Sequence, residues 1–206
     1  LQNQINAHFI YNVLESIKMM AEIDEEYAIS DAVTALGNLL RYSMKWVSGN
    51  VLVEQELEYI KNYMALINLR FDYEIYLSLN LPELVLKQEI PKMSLQPIVE
   101  NAVIHGFKGS EKQGTIMIYG DVENGVLKLY VEDNGCGLQK GEAEAQSGRK
   151  VTGIGIANVD ARIKSAYGAQ YGLLVYNGAV CGTVAEFTLP VLRQKEEIDA
   201  ESTGRG

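Results

Sequence analysis

The chain has 206 residues, 47% of them hydrophobic, and a formal net charge of −9. That is enough apolar material for one compact α/β domain with a smaller helical part. The acidic balance excludes nucleic acid as a partner held through its phosphates, although a small anionic ligand remains compatible where backbone N–H groups converge.

Cys136 and Cys181 lack metal-ligand spacing and suit a reducing compartment. No apolar run reaches the roughly 18 residues of a membrane span, and no secretory signal is visible. The helical pattern is already under way at Leu1, so the chain reads as a piece of a longer protein.

Residues 1–21 predict a helix in which Ile5, Phe9, Val13, Ile17 and Met20 form one stripe, widened by Ile10, Leu14 and Ala21. Gln4, His8, Asn12 and Glu15 take the opposite face, and at ~100° per residue His8 points away from the apolar centre. Asp24-Glu25-Glu26 is a polar connector. Residues 30–45 predict a second helix that buries Val33, Leu36, Leu40 and Met44, with Ser48-Gly49-Asn50 as its stop. Residues 54–70 predict a third, acidic in its first turn and with Arg70 near its end, the charge order a helix dipole favours. So short a helical hairpin needs a partner to cover its stripe, which predicts a homodimeric bundle.

Beyond residue 75 the texture becomes α/β. Residues 73–81 predict a strand, and Pro91 is expected to open a helix running to Gly106. Residues 115–122 and 126–132 form a hairpin around Asn124-Gly125. Residues 135–153, rich in Gly, Glu, Gln, Lys and Ser, read as a long mobile loop. A helix over 156–167 and strands over 171–176 and 183–189 follow, and 194–206 reads as a disordered polar tail. No internal repeat is present.

Three segments carry chemistry. In Leu95-Gln-Pro-Ile-Val-Glu-Asn-Ala-Val-Ile-His-Gly106, Glu100 and Asn101 interrupt an apolar helix, as a satisfied structural network would or as an Asn carbonyl aimed at Mg²⁺ would. Val131-Glu-Asp-Asn-Gly-Cys-Gly137 is an ordinary turn on its own. It also suits a carboxylate, Asp133, that accepts from an adenine amino group while Gly135 and Gly137 let the backbone approach the ring. Thr152-Gly-Ile-Gly-Ile-Ala-Asn158 precedes a helix without a Rossmann context, and glycines there expose N–H groups to phosphate at the positive end of the dipole.

In this order, Asn101, Asp133-x-Gly135-x-Gly137 and Gly153-x-Gly155 resemble the N, G1 and G2 boxes of the GHKL ATPase/kinase superfamily, which gyrase, Hsp90, MutL and histidine kinases share. Gly182-Thr183 with Ala185-Glu186-Phe187 looks like the family's closing strand, and Leu1-Gln-Asn-Gln-Ile-Asn-Ala-His-Phe-Ile-Tyr-Asn12 is similar to the phosphoacceptor helix of LytS/YesM-type sensor kinases. The resemblance implies an α+β chain. Residues 1–74 would form an antiparallel helical hairpin for dimerisation and phosphoacceptance, 75–193 a GHKL (Bergerat) α/β sandwich, and 194–206 a tail. His8 would be the phosphoacceptor, with Glu100 as base or orienting group and Asn12, one turn on, able to orient a water. ATP would be held by Asn101, His105, Asp133, Gly135, Gly137, Gly153, Gly155, Asn158, Arg162 and Thr183, with Mg²⁺ on Asn101 and residues 135–153 as the lid. Asn158 and Arg162 fit phosphate contact and helix packing equally well.

The implied partners are a second copy and a response regulator. The parent would be anchored in a bacterial plasma membrane by an upstream segment, with these residues cytoplasmic. A plain GHKL ATPase or Ser kinase, or an ATP-gated dimer scaffold, is the alternative. Two positions depart from the family pattern: Ala7 stands where proline usually precedes the histidine, and Ile104 where many members carry a phosphate-reaching lysine.

Overall fold

The structure, a computed structural model, describes residues 2–44, 49–70, 74–107, 113–138 and 154–192. Gly153, most of the expected lid and the expected tail lie outside the described residues. The chain separates into two compact units: Leu1–Ser48 with Glu58–Tyr73, and Gly49–Leu57 with Glu74–Gly206.

The first unit is helical. Helices α1 (Gln2–Ile23) and α2 (Tyr27–Met44) are joined by a turn in which Glu25 takes φ 59° and the Glu26 N–H donates to the Ala21 carbonyl. Leu14 lies against Gly37, and the Arg41 guanidinium sits 5.7 Å from the Tyr11 ring centroid. Helix α3 (Val53–Arg70) contributes all but its first turn to this unit, where Asn38 donates to Asn62 and the Tyr42 and Tyr59 rings meet at 5.1 Å.

The packed face of α1 differs from the expected stripe. Ala7, Tyr11, Leu14, Lys18 and Ala21 are half-buried or buried, whereas Phe9, Val13, Ile17 and Met20 are exposed. On α2, Leu36 and Met44 are exposed and the small residues Ser30 and Ala35 are buried. Small residues let two helices approach closely. The larger apolar side chains are therefore left on the far side of the pair.

The second unit is a mixed five-stranded sheet of order β2-β4-β5-β7-β6. Its strands are β2 (Ile75–Asn80), β4 (Gly114–Glu123), β5 (Val126–Asp133), β6 (Gly172–Asn177) and β7 (Thr183–Pro190). Only β2 and β4 run parallel, and the other neighbours are antiparallel. Asn124 and Gly125 take φ 51° and 76°, closing the β4–β5 hairpin in the two-residue loop that their sequence favours. Alternate residues Ile116, Ile118, Leu127, Leu129, Phe187 and Leu189 are fully buried on one face. Helix α6 (Ile154–Tyr167) packs on β6 and β7, and α5 (Gln96–Asn101) packs on α6.

Three short elements had no clear sequence signal. Strands β1 (Asn50–Leu52) and β3 (Glu89–Pro91) pair antiparallel, and α4 (Glu83–Leu86) lies between β2 and β3. Pro91 therefore ends a strand, and the helix expected to open there begins at Gln96. Pro97 occupies the first turn, where a missing N–H costs nothing.

Phe187→Ala should lower the unfolding free energy by about 3–5 kcal/mol, because its ring is fully buried between sheet and helices. Exposed Met117→Ala on the opposite face should stay within about 0.5 kcal/mol of wild type. Urea titrations of both variants measure the difference.

Candidate functional site

Helix α5 does not stop at Asn101 but continues as a π-turn over Ala102–Gly106, an irregularity that recurs at functional sites. Ile98, Val99, Ala102 and Val103 anchor it in the core. Glu100 and Asn101 are half-buried, and Ile104 and His105 are exposed. Gln96 donates its side-chain amide to Glu100 Oε1 at 2.7 Å, which fixes that carboxylate.

Strand β5 delivers Asp133 to the end of this turn. Asp133 is 6% exposed, and its Oδ1 accepts the Gly135 N–H at 2.9 Å. The backbone and hydroxyl of Thr183 also hydrogen-bond it. Burial pushes the Asp133 carboxyl above its ordinary pKa, and the bonds from Gly135 and Thr183 oppose that shift.

The glycines around Asp133 are required by close approach. A methyl group on Gly135 would overlap the Gly106 carbonyl, and one on Gly182 would overlap the Asp133 carbonyl. The Cys136 N–H donates to the same Gly106 carbonyl at 2.9 Å, tying the end of the π-turn to the loop after β5. Gly137 has φ 74°, in the region where glycine is favoured.

Gly155, in the first turn of α6, differs from these. A side chain there would make only an ordinary 3.6 Å contact with Pro97, so nothing among the described residues demands a glycine.

The end of the π-turn, Asp133, Gly135, Gly137 and Thr183 thus meet where β5 ends and β7 begins, and Gly155 lies beside Pro97 of the helix that carries Asn101. Asn158 is exposed on α6. Arg162 is turned to the protein, with Nη2 donating to the Met93 carbonyl at 3.0 Å and lying 3.4 Å from Ser94 Oγ. Two residues were missed from sequence. Asn134 accepts the Thr115 N–H at 2.7 Å and donates to the Gln113 carbonyl, pinning β4 beside the site. Asn177 accepts the Leu138 N–H at 2.7 Å and so fixes where the loop leaves the site. The Asn177-Gly178 pair was a turn signal that could have pointed to it.

In the helical unit His8 is exposed on α1, and the Asn12 side-chain amide lies 3.4 Å from its Nδ1. With the amide nitrogen facing the ring, Asn12 donates to Nδ1, which puts the ring proton on Nε2. Among the described residues no three His, Cys, Asp or Glu side chains cluster to hold a metal. A single Asn oxygen is a donor set that suits Mg²⁺, which keeps waters and takes most of its ligands from phosphates. No helix among the described residues is long and apolar enough to cross a membrane.

Comparison with known proteins gives two family matches, histidine kinase over residues 1–75 and histidine kinase-, DNA gyrase B- and HSP90-like ATPase over residues 90–193. The chain is 35% identical over 92% of its length to the sensor histidine kinase YesM of Bacillus subtilis, and 33% identical over 85% to BtsS of Escherichia coli. It covers 32% and 30% of those proteins, about a third of their length. The fold is similar to the histidine kinase domain of the blue-light activated kinase EL346 from Erythrobacter litoralis. The TM-score is 0.51 at 17% identity, over 94% of this chain and 98% of that one.

Because the folded-state pKa of Asp133 is raised, ionising it works against the fold. Stability held below the unfolded pKa is lost as pH rises through the folded value. Asp133→Asn removes this ionisation, so the variant should gain stability relative to wild type as pH rises above the ordinary carboxylate range. Urea unfolding at several pH values checks it, and a flat difference would contradict the assignment.

Proposed function

The chain belongs to the histidine kinase family, and on that premise we propose that it binds Mg-ATP, phosphorylates His8 and passes the phosphoryl group to a response regulator. The observation that carries this reading is the junction at Asp133. There a buried carboxylate is held among glycines whose backbones meet too closely for any side chain, at the end of strand β5.

Asp133 accepts the adenine amino group, and Gly135 and Gly137 admit the ring. N–H groups at the start of α6 meet the phosphates, with Thr183 holding Asp133 in place and His105 and Asn158 at the margin of the site. The Asn101 oxygen would hold Mg²⁺, which when bound neutralises charge on the phosphates. An imidazole nitrogen of His8 attacks the γ-phosphorus in line. A P–N bond forms, the P–O bond to the β-phosphate breaks, and ADP leaves. Asn12 hydrogen-bonds the imidazole, and Glu100 orients the attacking group or takes the imidazole proton as positive charge builds. Ile104 brings no cation to the phosphates, so backbone donors and Mg²⁺ bear more of that charge.

Phe9, Val13, Ile17 and Met20, exposed on α1, support a homodimer that covers them. The sensing part and a plasma-membrane anchor belong to the parent protein outside these residues, which act in the cytoplasm of a bacterium.

Incubation with γ-labelled ATP and Mg²⁺ should give a phosphoprotein whose label is lost in acid and survives base, and His8→Gln should abolish it. Acid-stable label, or label that persists in His8→Gln, would instead point to a Ser kinase. Glu100→Gln should slow labelling by about 10²–10⁴-fold while ATP still binds, as single-turnover kinetics would show.

A further inference from the structure

Glu56 lies in the first turn of α3 and is 1% exposed. A buried carboxylate must be compensated, and here it is compensated by backbone. Its Oε1 accepts the Met93 N–H at 2.5 Å, and its Oε2 accepts the Ser94 and Leu95 N–H groups at 3.0 and 3.2 Å. Leu95 is the residue from which α5 starts, so the carboxylate satisfies amides that would otherwise be orphaned at the head of the Glu100–Asn101 helix.

Two of these residues, Met93 and Ser94, are held by further side-chain bonds. Arg162, on α6, donates to the Met93 carbonyl and lies against Ser94 Oγ, and that hydroxyl donates to the Pro91 carbonyl at 2.5 Å. Met93 takes φ 59°, a conformation costly for a side chain of its kind and maintained only where surroundings enforce it. An acid from α3 and a base from α6 thus clamp one strained peptide ahead of α5. The first turn of α3 is further fixed to this unit by the Glu54–Lys87 ion pair at 2.8 Å and by the Val53 N–H on the Gln88 carbonyl.

We infer that Glu56 is a positioning residue for phosphoryl transfer. With Arg162 as its counterpart, it sets the head of α5 and through it the placement of Glu100 and Asn101. This rests on the function proposed above. Glu100 and Asn101 lie within two turns of the clamp, whereas Asp133 meets the far end of the same element through Gly106. Loss of the clamp therefore disturbs the metal and transfer end and spares the adenine end. Because α3 runs unbroken from Glu56 to Arg70, a turn of that helix about its axis moves the carboxylate against α5.

Glu56→Gln keeps the shape and one acceptor but places an amide donor against backbone donors. The test uses this chain with three measurements: ADP affinity in EDTA, the Mg²⁺ dependence of ATP affinity, and the labelling rate at saturating ATP. ADP affinity without metal should stay within about twofold of wild type. The Mg²⁺ half-saturation should rise, and the labelling rate should fall by about 10- to 100-fold, with circular dichroism unchanged. If Glu56→Gln does not fold, Arg162→Gln, altered at an exposed side chain, should show the same split. A wild type that binds nucleotide but labels no histidine contradicts the proposed kinase, and the Mg²⁺ measurement then decides the role of Glu56 alone. Equal losses in all three measurements, or unchanged Mg²⁺ dependence and rate, overturn it.

Discussion

Gly106, Gly135, Gly182 and Asp133 meet backbone to backbone, at separations that leave no room for a single added methyl at Gly135 or Gly182. Through the Cys136 N–H on the Gly106 carbonyl, this contact joins the end of the α5 element to the end of β5 and the start of β7. Elements far apart in sequence therefore share one rigid junction, and Asp133 is buried at its centre with donors from Gly135 and Thr183. Burying a carboxylate there raises its pKa and works against the fold. A buried carboxylate whose pKa is raised is a candidate for use by a ligand, which is the basis of the adenine contact proposed for it.

The junction fixes only one end of α5. Its head is fixed separately, by Glu56 and Arg162 on either side of Met93. The stretch between carries Glu100 and Asn101 and relaxes into a π-turn, linking the Asp133 junction proposed to take adenine to the end proposed for transfer. Holding both ends is how a short helix with a polar pair on an apolar face stays in one register. It also explains why Arg162, which by sequence suited phosphate or packing equally, is spent on a backbone carbonyl.

Much of this was legible beforehand. The Asn124-Gly125 hairpin and the alternation along β4 and β5 come from local rules of turn chemistry and period, whereas the grouping of the polar and glycine motifs came from resemblance to the GHKL superfamily. What escaped were features fixed by tertiary contact. Three-residue β1 and β3 are too short for any period to show, and they exist because each pairs with the other. Pro91 looked like a helix start because proline suits a first turn, but Pro97 holds that place. The acidic first turn of α3 matched a helix-dipole pattern, yet Glu56 is buried on a different helix, which no one-dimensional pattern encodes. On α1 the period was right, but the face used within the unit is Ala7, Tyr11, Leu14 and Ala21, selected by small residues on α2 rather than by hydrophobicity alone.

The account depends above all on where adenine binds. A structure of the chain with Mg²⁺ and a non-hydrolysable ATP analogue tests this directly. The account predicts the adenine amino group within hydrogen-bond reach of the Asp133 carboxylate, with the phosphates toward Gly155 and the metal on Asn101. A nucleotide seated elsewhere, with Asp133 in contact only with Gly135 and Thr183, would contradict it.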